Sequence, residues 1–505
     1  MIVLGLSGSV ADASAVVLDG GVARAAARES WFSRVPGDPA FPKRALRWCL
    51  LDAGISPSDI DLVAWAEKPL ARFEATLFDG LRRFPRGSGR FACSMQEWLG
   101  DRLWIRTRIT TELGIDPGRI RFVRTPLAHA AAAFHLGSHA RAAILVDGCC
   151  GESTDHSHAL GAEHAVRLVR WIHGTHSIAE LLRIATSALR RAAAHECGDP
   201  FALAGAATTR SIDAMRACVI ESADGSFRYE ADHVAATAQR MPAADAAAAI
   251  VALATEWFEA SIRTLTADAG AHAVLVAGDL ARVMPNLAAR VTHGALPVLD
   301  ASRVTGGAAA AFGAASVVAG DELGAPRRCA AAVPCGPAAL VTDDGVPAPN
   351  ALARALEALR GGETIACASG RFDFLDGMPV GRVVVADSMQ DDAEMRLRHA
   401  VPGAFGAGWR PTILSDARVE PDEVHARSSL ALVTEHQPAL LALVRAHARA
   451  TGRERALLAV PMQPAGEPPA VDGHHAMRFL RSHRVAGLLT DDRFVPNVSG
   501  AARRS

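Results

Sequence analysis

Apolar residues open the chain in short runs broken by polar turns: Ile2 to Leu6, then Ser7 to Ala11, then Ala15 to Leu18 ahead of Asp19-Gly20-Gly21. Short apolar runs joined by such turns predict a β-hairpin, with Asp-Gly leading into a further strand. The pattern returns at Ala142 to Val146, followed by Asp147-Gly148 and a Gly/Ser/Thr-rich turn from Gly151 to Thr154. Elsewhere, apolar spacing at three and four residues predicts helices over Phe41 to Ala53 and Ala243 to Thr266. A third strand-turn-helix unit reads Ala273 to Val276, Ala277-Gly278-Asp279, then Leu280 to Val291. Arg303-Val304-Thr305-Gly306-Gly307 then leads into an Ala-rich helix from Ala308 to Val318. Two strand-rich starts separated by helical sequence point to a duplicated α/β core.

Residues 326–349 are rich in Pro, Gly and Ala, include Pro334-Cys335-Gly336-Pro337, and read as a linker. The expected division is therefore a first domain over 1–325 and a second over 350–505. In the second, Thr364 to Ala368, Arg382 to Ala386, Ala456 to Val460 and Val485 to Leu489 are strand candidates with helices between them. The fold class is α/β throughout.

Composition narrows the partners. The chain of 505 residues carries a formal net charge of -1, so no overall field favours nucleic acid or an anionic membrane. A small neutral partner fits better. The opening MIVLGLSGSV lacks a basic n-region and a small-residue cleavage site. The most apolar later stretch, Ala244 to Phe258, contains Asp245 and Glu256 and falls short of the roughly 18 apolar residues a membrane span needs. A cytoplasmic protein is expected. Nine cysteines without CxxC spacing argue against a disulfide framework or a Cys-based zinc site.

Several short segments, in order along nearly the whole chain, carry a family resemblance. Gly5-Leu6-Ser7 with Asp12-Ala13-Ser14-Ala15, Phe32-Ser33-Arg34 with Asp38 and Phe41-Pro42, and Leu127-Ala128-His129-Ala130 with Ile144 to Gly148 stand in the first domain. His176-Ser177 with Leu181-Leu182 follows them. Gly370 to Phe374, Ala386-Asp387, Trp409-Arg410-Pro411, Thr451-Gly452, Leu457-Leu458 and Gly466-Glu467-Pro468 continue the series. Together they resemble the O-carbamoyltransferases of nodulation and antibiotic biosynthesis, of which this chain looks like a diverged member. The resemblance implies an actin-like (ASKHA) duplicated-core first domain and a smaller second domain similar to threonylcarbamoyl-adenylate synthases. It also implies a chemistry: ATP and carbamoyl phosphate give a carbamoyl-adenylate. The carbamoyl group then passes to a hydroxyl of a secondary metabolite, helped by a divalent, iron-like metal. Such acyl transfer needs a Lewis acid or oxyanion donors at the carbonyl.

Carried over residue by residue, the resemblance gives His129 and Asp147 as metal ligands, and Gly5, Ser7, Asp12, Gly148, Gly278 and Arg382 as nucleotide- or phosphate-binding positions. The departures are as informative. Thr125 stands four residues before His129, where a second histidine would share the helix face, and Gly307 stands where the family has a carboxylate. Asp279 replaces a glycine of a phosphate-facing turn, and a carboxylate there repels phosphate. Gly377 replaces an anion-binding arginine, while Ala459 to Gln463 replaces a turn rich in side-chain donors. The glycines also admit a plain reading as turns any α/β core needs. His156 and His158, beside Asp155, share a face only if a strand forms there. Two functions follow: a working transferase with carbamoyl phosphate and a hydroxyl acceptor as partners, or a catalytically degenerate relative acting as partner or regulator of an active enzyme. A protein partner or homo-oligomer belongs with the second.

Overall fold

The computed structural model describes the chain except residues 9–11, 86–87, 138, 150, 153, 164, 175, 193–199, 205–208, 223–225, 270–272, 289, 292–297, 302–305, 324–333, 336–345, 348–349, 374–379, 403–410, 417–429, 455 and 498–505. Two compact units form, one of residues 1–29 and 39–331, the other of residues 30–38 and 332–505. Asp376, Gly377, Trp409 and Arg410 lie outside the described residues, as does most of the expected linker. Of that linker, Pro334–Cys335 pairs with Phe372–Asp373, inside the second unit.

The first unit contains the same strand arrangement twice. Strands β1 (Ile2–Ser7), β2 (Ser14–Asp19) and β3 (Val22–Arg28) run as an antiparallel meander. The β2–β3 turn has Gly20 and Gly21 at φ 57 and 81, the pair of positive values a two-residue hairpin loop of this hand requires. Helix α1 (Lys43–Ala53) leads to β4 (Leu62–Trp65), which lies parallel to β1. A helical pair, α2 (Pro69–Arg83) and α3 (Ser88–Gly100), precedes β5 (Ile120–Phe122) and helix α4 (Thr125–Leu136). The sheet order is β3-β2-β1-β4-β5.

Strands β6 (Arg141–Asp147), β7 (Thr154–Ala162) and β8 (Ala165–His173) repeat the meander. Helices α5 (Ile178–Ala192) and α6 (Ala243–Ala269) separate it from β9 (Ala273–Ala277), which is parallel to β6. After α7 (Leu280–Ala288) come β10 (Val298–Ala301) and α8 (Gly306–Leu323). This sheet reads β8-β7-β6-β9-β10, the first order again. The unit is the duplicated, actin-like core that the sequence leads one to expect. Its two closing helices meet through their small residues: a Cβ at Gly313 of α8 would overlap the carbonyl oxygen of Ala128 on α4. A strand does form from Thr154 onward, so His156 and His158 share a face with ring centroids 5.5 Å apart.

The second unit is built on one mixed sheet. Its strands are β11 (Val346–Pro347), β12 (Ile365–Ala368), β13 (Arg382–Asp387), β14 (Thr412–Ser415), β15 (Leu430–Leu432), β16 (Leu457–Pro461), β17 (Gly487–Thr490) and β18 (Arg493–Pro496). They are ordered β11-β18-β17-β12-β13-β16-β14-β15. Helices α9 (Asn350–Arg360) and α10 (Pro438–Thr451) contribute to one apolar cluster and α11 (Gly473–Ser482) to another. Arg34, with φ 59, reaches residues more than 430 positions away and donates to the carbonyls of Pro468 and Pro469, both at 2.8 Å. Phe32-Ser33-Arg34 and Gly466-Glu467-Pro468, quoted separately above, are thus neighbours in one unit. Among the described residues no helix is long and apolar enough to cross a membrane.

Candidate functional site

Asp147 ends β6 with its side chain wholly out of solvent. The start of α5 crosses this strand end, and the backbone N–H groups of Ile178 and Ala179 donate to the carboxylate at 2.9 and 2.8 Å. A carboxylate at a helix N-terminus satisfies donors that have no partner within the helix. The Nδ1 of His156 on β7, opposite Asp147 in the ladder, lies 2.7 Å from the carboxylate. On its other side His156 Nε2 is 3.2 Å from Ser261 Oγ on α6. The order Ser–His–Asp is that of a nucleophile-activating triad. Ser261 nonetheless sits in mid-helix beside a void of about 10 Å³. That is room for about one water, not for a substrate.

The other metal positions do not complete a ligand set around Asp147. His129 is buried on α4, its Nδ1 has no hydrogen-bond partner, and burial holds its pKa down at about 4. Thr125 donates its N–H to Glu152 at 3.0 Å and its hydroxyl to the Ala66 carbonyl at 3.1 Å. A Cβ at Gly307 would overlap the carbonyl oxygen of Asp12, so no side chain fits where the family has a carboxylate. Both Asp147 oxygens serve backbone donors. The residues at the four family positions therefore do not fit a divalent metal. Nor do His129, Asp147, Asp155 and His156 converge: among the described residues, the group of three ligand-type side chains within 4.8 Å of one another is Asp472, His474 and His475, in the second unit. There Asp472 caps α11 through the His475 N–H at 2.8 Å.

The glycine-rich turns are filled by protein. A Cβ at Gly5 would overlap the Ala311 carbonyl of α8, and one at Gly278, with φ 81, would overlap that of Asp147. Ser7 Oγ donates to the Gly307 carbonyl at 2.7 Å and accepts from the Ser14 N–H at 3.1 Å. Asp12 pairs with Arg28 at 2.6 Å. Gly148, with φ 76, turns directly against Asp279, whose Cβ would be 3.1 Å from a Cβ at that glycine. Atoms crowded about the Asp279 carboxyl desolvate it and push it above the usual carboxylate range, Arg282 opposing and Asp147 adding to the rise, although the residue as a whole is exposed. Each glycine is explained by close approach of two chain segments.

In the second unit Arg382 is fully buried in β13. Its guanidinium donates to four backbone carbonyls: Nε to Val471 at 3.0 Å, one terminal nitrogen to Ser369 at 3.2 Å and Gly381 at 2.8 Å, the other to Gly370 at 3.1 Å. An arginine has five N–H donors. Four of them hold the chain together rather than facing a phosphate.

Sequence reasoning missed Ser261 and a buried acidic pair. Glu152 joins the Lys68 N–H, at 2.9 Å, to the start of α4, and Glu67 has its carboxyl raised by burial, with Glu152 contributing to the rise. No local pattern marks them, since Ser261 is 105 residues from His156. Apart from all of these, a cavity of about 590 Å³ opens between Arg124, Leu127, Leu168, Trp171 and Val318.

Residues 2–250 match the family model described as the carbamoyltransferase N-terminus. Over those residues, just under half of the chain, it is similar to the carbamoyltransferase family. Among curated relatives, the chain is 34% identical over 157 residues to the uncharacterized protein sll1178 of Synechocystis, covering 30% of this chain and 26% of that protein. It is 30% identical over 166 residues to the nodulation protein NolNO of Sinorhizobium fredii, covering 29% of this chain and 23% of that one. The matched stretches thus span about a quarter of those relatives. Among solved structures, the ROK hexokinase of Thermus thermophilus is 16% identical with a TM-score of 0.32, covering 63% of this chain and 98% of its own. HypF of T. kodakarensis is 12% identical with a TM-score of 0.34, covering 64% and 48%.

Proposed function

We propose that this chain is a catalytically degenerate relative of the carbamoyltransferases and acts as a partner or regulator of an active enzyme. The observation that carries the reading is the environment of Asp147. Two helix N–H groups and His156 surround a carboxylate that the family resemblance assigns to a metal. Carbamoyl transfer without a Lewis acid or free oxyanion donors loses the groups that stabilise charge at the carbonyl. Several such elements are replaced at once, and elements that act as a unit fail together. Arg382, held by backbone carbonyls, removes an anion-binding group from the second unit as well.

A second reading is transfer of a carbamoyl group from carbamoyl phosphate, through a carbamoyl-adenylate formed with ATP, to the hydroxyl of a small acceptor. The match to the carbamoyltransferase N-terminus over residues 2–250 favours it. The deciding experiment is calorimetric titration of the chelator-treated chain with ATP, carbamoyl phosphate and ferrous or manganous ion. Degeneracy predicts no saturable heat from any of the three. Metal-dependent, saturable binding of both ATP and carbamoyl phosphate would overturn it in favour of the second reading.

A further inference from the structure

The hairpin of α2 and α3, inserted between β4 and β5, carries a surface that the core does not use. Its inner face is closed: the Phe73 and Trp98 rings meet edge-on with centroids 5.8 Å apart, and Gly80 leaves room for the Phe91 ring. Its outer face is apolar and open, with Leu70 75%, Phe78 52%, Leu81 58% and Phe84 72% exposed. Leu99 and Trp104 are exposed as well. Leu70, Glu74, Phe78 and Arg82 recur every four residues and form one row along α2. Glu74 and Arg82 are both exposed, and neither makes an ion pair among the described residues.

We propose that a second copy of this chain covers this row, α2 packing antiparallel against its counterpart with Phe78 on the two-fold axis. The charges select this arrangement. About a dyad at Phe78, Glu74 of each copy faces Arg82 of the other, four residues to either side. A parallel pairing would set Glu74 against Glu74 and Arg82 against Arg82, so repulsion disfavours it. The row is therefore self-complementary, as an isologous two-fold interface must be. Glu74 and Asp79 among Arg72 and Arg82 also set α2 apart from the Lys/Arg-rich polar face of a membrane-surface helix.

Sedimentation velocity of the full chain over a concentration series tests this. A monomer–dimer equilibrium is expected, and Phe78→Glu shifts it to monomer with an unchanged far-UV circular dichroism spectrum. Glu74→Arg and Arg82→Glu each weaken the dimer about tenfold, from two lost ion pairs. The double exchange, Glu74→Arg with Arg82→Glu, restores it. A native chain that stays monomeric throughout, a Phe78→Glu dimer as tight as the native one, or a double exchange as weak as the single variants would each overturn the proposal.

Discussion

Asp147→Asn separates a structural carboxylate from a metal ligand. In the structural reading the carboxylate accepts from Ile178, Ala179 and His156, and is fully buried while it does so. An amide keeps one oxygen acceptor and turns an NH₂ toward a donor, so one or two charge-assisted hydrogen bonds are lost. At roughly 1.5–3 kcal/mol for each hydrogen bond to a charged group, the expected destabilisation is about 3 kcal/mol. In a unit of this size that corresponds to a fall in Tm of about 4 °C. Thermal unfolding in the presence of chelator, followed by tryptophan fluorescence, reads it well, because Trp48, Trp65, Trp98, Trp104, Trp171 and Trp257 all lie in the first unit. A metal-binding carboxylate behaves oppositely: without its ion it is a buried, uncompensated charge, and neutralising it stabilises the apoprotein. An Asp147→Asn variant as stable as the native chain in chelator, or more so, would refute the structural assignment.

Two further outcomes follow from buried groups. Arg382→Met strips donors from the carbonyls of Val471, Ser369, Gly381 and Gly370, and urea unfolding of the second unit should show a loss of about 4 kcal/mol. A loss below about 1 kcal/mol would mean that the arginine is not structural. Burial, with smaller effects from His156 and Arg170, holds the His158 pKa down at about 3, well below the usual 6.5 of a histidine. Below pH 6.5 the unfolded chain takes up a proton that the folded chain refuses, so the contribution of neutral His158 is full above pH 6.5 and is lost as pH falls toward 3. His158→Phe should flatten the fall in Tm between those limits; an unchanged pH profile would show that His158 is solvated.

Local pattern made much of this protein legible. The strands at Ile2, Ala142 and Ala273, the long helix from Ala243 and the β-strand at Arg382 lie where apolar periodicity puts them, because period 2 and period 3.6 are properties of neighbouring residues. The family resemblance, not periodicity, singled out Asp147, His129 and the glycine turns, and it marked Thr125 and Gly307 as departures from the expected ligands. What each side chain does was decided by the tertiary fold. Arg382 has the residue type of a phosphate binder, and only its enclosure by four carbonyls turns it into a structural group. Gly5 looks like a phosphate turn and Gly307 like a vacated ligand position until helix α8 and the Asp12 backbone are seen to occupy the space beside them. The contact between Ser261 and His156 spans 105 residues and the reach of Arg34 more than 430. Burial and hydrogen-bond direction depend on segments that the chain brings together only by folding, so spacing in the sequence carries no record of them.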